Sequence, residues 1–132
     1  MGYKHTEVTN RILRAFYTVY NELGYGYLER VYENAMLIEL RKMGLSVTKQ
    51  APITVFYDSQ AVGEYYADLL VEEAVIVELK AARAIDEAHQ AQLLSYLKAT
   101  DIEVGLLLNF GPKPDKQRKI YDNELKGRRT RS

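Results

Sequence analysis

The stretch EYYADLLVEEAVIVELKAA, Glu64 to Ala82, decides the fold and poses the chemical question. It reads as two neighbouring strands, yet Asp68 lies inside the first, and Glu78 and Lys80 lie inside the second. Charges within apolar strands cost free energy unless something pairs them. Residues two apart on a strand point to the same side. Glu78 and Lys80 therefore share a face, with Val77 and Leu79 on the other. If the strands pair, Asp68 and Glu78 converge across the ladder. Carboxylates brought together repel, which raises one pKa unless a cation sits between them. Mg²⁺ or Mn²⁺ fits such a pair, because these ions accept one or two carboxylates, a carbonyl and waters. Lys80 would point at the same water, which an ammonium can orient while it screens a phosphate. The competing explanation is a structural salt bridge of Lys80 with Asp68 or Glu78, and three residues alone do not decide between them.

Working outward, Val8, Ile12, Ala15, Phe16, Val19 and Leu23 have helical spacing, and Gly24 is a natural stop. A Gly-rich turn, GYGYLER, leads into a second helix from about Tyr27 to Met43, with Arg41 and Lys42 in its last turn. From Leu45 the period changes to alternation rich in β-branched and aromatic residues. Pro52 implies an edge strand or a bulge, and a hairpin turn is expected near Asp58–Gln60. EAVIVELKA and IEVGLLLNF are apolar enough to be buried central strands. Between them Asp86 can cap a third helix, about Glu87 to Ala99. That helix has the length of a right-handed crossover, so the strands it joins are expected to be parallel. After the GPKP break a short helix is expected around Lys116–Leu125. The order α-α-β-β-β-α-β, without repeats or linkers, predicts one α/β domain over residues 1–132 with a mixed four-stranded sheet.

Composition removes several chemistries. The absence of cysteine excludes disulfides, thiolate zinc sites and cysteine nucleophiles. With only His5 and His89, a multi-histidine metal site is not expected, which leaves hard cations on carboxylates. No apolar run approaches the roughly 18 residues of a membrane span and no signal peptide opens the chain, so a cytoplasmic protein without membrane partners is expected. MGYKHT fits a myristoylation pattern, but the pattern is short, and Gly2 is read as an ordinary second residue. The formal net charge is zero, yet from about residue 112 onward eight basic side chains face three acidic ones. That basic tail suggests phosphate contact, although a solvated terminus explains it as well.

Two helices add polar residues. His89, Gln92 and Tyr96 are spaced to share one face of the third helix, which crosses over directly from the Glu78–Lys80 strand. A solvated helix face is the alternative for Gln92 and Tyr96, and one histidine is weak evidence for a ligand. On the second helix Glu29 is followed by Tyr32 at i+3. Alone, Glu29 reads as a first-turn residue favoured by the helix dipole.

Together these residues resemble the GxxExxY protein family. GYLERVY (Gly26 to Tyr32) matches its naming pattern, and the flanking ENAM, the Asp68 strand, VELKA, HQAQLLSYLKAT and GLLLNFG follow in its order and spacing. The resemblance covers about His5 to Gly111. It departs at GPKPDKQRK, where Pro114 replaces an expected apolar residue, so no tail residue is assigned a role. The family is similar to the PD-(D/E)XK nuclease superfamily, which implies a restriction-endonuclease-like α-β-β-β-α-β core. It further implies that Asp68, Glu78 and the Leu79 carbonyl hold Mg²⁺ or Mn²⁺, that Lys80 positions the attacking water, and that Glu29 assists with the metal or Lys80. Gln92 would contact metal-bound water or phosphate, with Tyr32, His89 and Tyr96 in support. The implied activity is phosphodiester hydrolysis by an endo- or exonuclease on nucleic acid, foremost DNA, and a homodimer is compatible with it. The alternative is a non-catalytic nucleic-acid-binding or protein-interaction module on the same fold.

Overall fold

Residues 4–127 are described by a computed structural model. Helices α1 (Thr6–Leu23) and α2 (Glu29–Lys42) precede strands β1 (Val47–Tyr57), β2 (Gln60–Val71) and β3 (Val75–Lys80). Helix α3 (Glu87–Lys98), β4 (Val104–Phe110), β5 (Pro114–Ile120) and a 3₁₀ turn (Asn123–Leu125) complete the order. The two most apolar runs become the centre of one sheet ordered β1-β2-β3-β4-β5. β3 and β4 run parallel, joined through α3, and the other neighbours are antiparallel. Among the described residues no helix is long and apolar enough to cross a membrane.

The two faces of the sheet are covered unequally. On one, Ile12, Phe16 and Val19 of α1 and Tyr32, Met36 and Leu40 of α2 pack on alternate residues of β3 and β4, including Val77, Leu79 and Leu106. On the other, Leu93, Tyr96 and Leu97 of α3 meet Ala51, Ile53, Ala67, Ile76 and Leu107. Gly24 (φ 68°) ends α1 and donates its N–H to the Tyr20 carbonyl at 2.8 Å. Pro52 lies on β1, an edge strand, as expected of a residue without an N–H to donate. The β1–β2 hairpin turns on Asp58 and Ser59, both at positive φ, which matches the twist of the strands it joins.

The expected four-stranded sheet has five strands, and the helix expected around Lys116–Leu125 does not form. Pro114–Ile120 instead pairs antiparallel with β4, and only the short 3₁₀ turn follows. β4 is buried along its whole length, so its outer edge would strand backbone donors and acceptors away from water. β5 satisfies them while carrying Lys116, Arg118 and Lys119, which suits an exposed edge. Beyond it, Lys126 is almost fully buried (1% exposed) and donates to the carbonyls of Thr100 and Ile102, both at 2.8 Å. Gly2, and Arg128, Arg129 and Arg131 of the basic tail, lie outside the described residues.

Candidate active site

The site forms where two ladders fail. The β1–β2 pairing runs through Lys49 opposite Leu69, skips Gln50 and Asp68, and resumes at Ala51 opposite Ala67. Gln50 has a φ of 52° there, uncommon for a non-glycine residue. Side-chain alternation changes phase across the skip: Leu69 and Val71 face the α1–α2 core, whereas Ala67 faces α3. The β2–β3 pairing is short, ending at Leu69 opposite Val77. Asp68 thus lies beyond the β2–β3 ladder, and two carboxylates take the place of the missing bonds. The Asp68 N–H donates to Glu78 Oε2, and the Leu79 N–H donates to Asp68 Oδ2, both at 2.8 Å.

This reciprocal clasp uses one oxygen of each acid and holds both near the α3 face. Burial pushes the Asp68 carboxyl above its usual range, against the Leu79 N–H bond. Burial, reinforced by the charge of Asp68, pushes Glu78 up to about 8. Lys80 acts in the opposite direction on both acids. It nevertheless forms no ion pair with either: the salt bridges among the described residues involve Lys4, Lys42 and His89. The structural salt bridge considered for Lys80 therefore lacks a geometric basis.

Helix α2 brings two more acids. Glu29 Oε2 accepts the Ala81 N–H at 3.3 Å, which places it at the end of β3 beside Lys80. Glu33, one turn on, is 9% exposed, accepts from Gln50 Nε2 at 2.8 Å, and adds to the upward push on Asp68. Glu33 was not singled out in the sequence. Its available signal was the i+4 spacing from Glu29, which puts both on one helix face. Tyr32, fully buried, stacks on Phe110 at 4.2 Å. Its hydroxyl donates to the Gly24 carbonyl at 2.8 Å and accepts the Tyr27 N–H at 3.2 Å. Tyr32 therefore shapes the turn that presents Glu29.

Helix α3 supplies the far wall. Gln92 Nε2 donates to the Tyr96 hydroxyl at 3.1 Å. Burial and the charge of Glu78 raise the Tyr96 pKa, which ties this pair to the acids. His89 is occupied elsewhere: its N–H donates to Asp86 Oδ1 at 2.9 Å while its Nδ1 accepts the Asp86 N–H at 3.2 Å, closing a capping box. The structure thus gathers Glu29, Asp68, Glu78 and Lys80, sets Gln92 and Tyr96 beside them, and gives Tyr32 and His89 local backbone partners.

The donors present suit a hard divalent cation. Asp68 and Glu78 converge with raised pKa values, the condition a cation between them relieves. Among the described residues no three His, Cys, Asp or Glu side chains gather as ligands. The set that fits is therefore two carboxylates with a backbone carbonyl, such as that of Leu79, and water.

With this geometry in place, comparison with known families is decisive for class. Residues 6–120 match the family model of the PD-(D/E)XK nuclease superfamily, and the chain belongs to that superfamily. Comparisons with the curated proteins and with the solved structures returned no match.

Proposed function

We propose that the chain is a member of the GxxExxY group and a Mg²⁺- or Mn²⁺-dependent nuclease that hydrolyses phosphodiester bonds in DNA. The observation that carries this reading is the reciprocal Asp68–Glu78 clasp, aimed at one face with Lys80 beside it and uncommitted to an ion pair. Asp68, Glu78 and the Leu79 carbonyl are the ligands, with Glu29 and Glu33 within electrostatic reach. When bound, the cation supplies charge neutralisation at the phosphate and acidifies water. Lys80 Nζ holds the attacking water in line and stabilises its hydroxide, a role served by a cation that is not already paired. Gln92, oriented through Tyr96, donates toward water or a phosphate oxygen. A homodimer would let each copy cut one strand of a duplex.

The test is Mn²⁺ binding by calorimetry on wild type, Asp68→Asn and Lys80→Ala, with a DNA cleavage assay on the same samples. Asp68→Asn should lose both binding and cleavage. Lys80→Ala should keep binding and lose cleavage. Wild type that binds no divalent cation and cuts no nucleic acid would overturn the reading.

A further inference from the structure

A cleft opens beside the catalytic end of β3, between residues 83–84 and 112–115. We infer that it is a phosphate subsite in which Arg83 and Lys113 hold a non-scissile phosphodiester of the strand bound at Asp68, Glu78 and Lys80. The inference rests on the nuclease reading and extends it to how the strand is anchored.

Position comes first. Lys80 lies opposite Asn109 at the carboxyl ends of the parallel strands β3 and β4. Arg83 follows Lys80 by three residues, and Lys113 follows Phe110 by three. Open α/β sheets take their ligands outside these strand ends.

Charge comes second. Glu29, Glu33, Asp68 and Glu78 make the catalytic end acidic, so a polyanion arriving there needs a cationic flank. Arg83 and Lys113 are exposed, and neither belongs to an ion pair among the described residues. Asp115 is the one acid lining the cleft, and its Oδ1 already accepts the Lys116 N–H at 2.8 Å. A guanidinium can meet a phosphate with two parallel bonds, and an ammonium supplies a point charge opposite it.

Rigidity comes third. Asn109, 1% exposed, accepts the Ala82 N–H at 2.9 Å and donates to the Ala82 carbonyl at 3.0 Å. The Tyr20 hydroxyl fixes the Gly111 carbonyl at 2.7 Å. A Cβ on Gly111 would come within 2.4 Å of the Ala82 oxygen, so the two walls touch through a glycine. Both cations thus stand one or two residues from backbone that is clamped in place, which lowers the ordering cost of binding.

The experiment is fluorescence anisotropy with labelled single- and double-stranded DNA oligonucleotides in EDTA, across a range of salt. Wild type is compared with Arg83→Gln/Lys113→Gln and with a control of equal charge loss elsewhere, Lys42→Gln/Lys98→Gln. The cleft variant should bind about tenfold more weakly, with a log K against log salt slope shallower by about 0.7–0.9, as one phosphate no longer neutralised implies. The control should change the slope far less. Arg83→Lys should keep the slope and lose part of the affinity, a result that a general folding defect does not give. A cleft variant that matches the control overturns the subsite while leaving the nuclease reading intact. Wild type that binds neither oligonucleotide also overturns the subsite, while the nuclease reading stands or falls by its own cation-binding and cleavage test.

Discussion

The two faces of the sheet divide the labour of the molecule. Toward α1 and α2, apolar residues alternate along β3 and β4, and Phe16, Tyr32 and Phe110 form an aromatic cluster with Phe16 and Phe110 at 4.8 Å. Toward α3, the same strand carries Ile76 and then Glu78, and the smaller apolar cluster stops short of the acids. One face is built to lose as much water as it can. The other keeps buried carboxyl groups at a cost to stability, and that cost marks the candidate site.

Substitutions on the two faces should therefore fail in different ways. Phe16→Ala empties the centre of the larger cluster and should cost about 3–5 kcal/mol of stability, read by chemical denaturation. Any activity it loses should follow the folded fraction. Lys80→Ala should reverse that pattern. Its melting temperature should stay close to wild type, while cleavage falls on the order of a hundredfold or more, equivalent to about 2.7 kcal/mol in the barrier. Equal losses of stability and activity in both variants would break the comparison. Gly111→Ala sits between the faces: forcing a Cβ against the Ala82 oxygen should cost about 1–3 kcal/mol.

The pH-dependent effect is the most diagnostic. Glu78 binds its proton more tightly in the folded chain (pKa about 8) than in the unfolded one, whose ordinary value is 4.5. Unfolding between those values releases a proton, so this group's contribution to stability falls as pH rises from about 4.5 to 8 and levels off above that. Glu78→Gln should melt progressively higher than wild type across that window when metal is absent. Mg²⁺ should raise the wild-type melting temperature most at the alkaline end and leave Glu78→Gln little changed. Parallel melting curves for the two proteins at every pH would mean that the clasp carries no buried charge.

What could be read from residues alone follows the same division. The helices, the central strands and the parallel crossover announced themselves because apolar periodicity records burial directly. Asp68, Glu78 and Lys80 stood out because charge interrupts that periodicity. β5 did not, since an edge strand reading PDKQRKI is polar on both faces and its reason to exist is the unsatisfied edge of β4. Glu33 looked like any helix-surface acid until Gln50, at its unusual φ, turned toward it. The phase change at Asp68 was also hidden, because strict alternation offers no sign of a skipped pair. His89 drew notice for its chemistry, but in the fold it closes a helix cap, a role decided by the three-residue spacing from Asp86.

The buried Lys126 bears on how the protein can be handled and how it ages. Its ammonium ties the end of the chain to the segment that leaves α3, the helix carrying Gln92 and Tyr96. A protease nick or a shortened chain that removes Lys126 takes away a latch on the wall of the candidate site, although it deletes none of that site's residues. Acylation of that amine, which needs the latch to open first, would record how often the C-terminal end lets go.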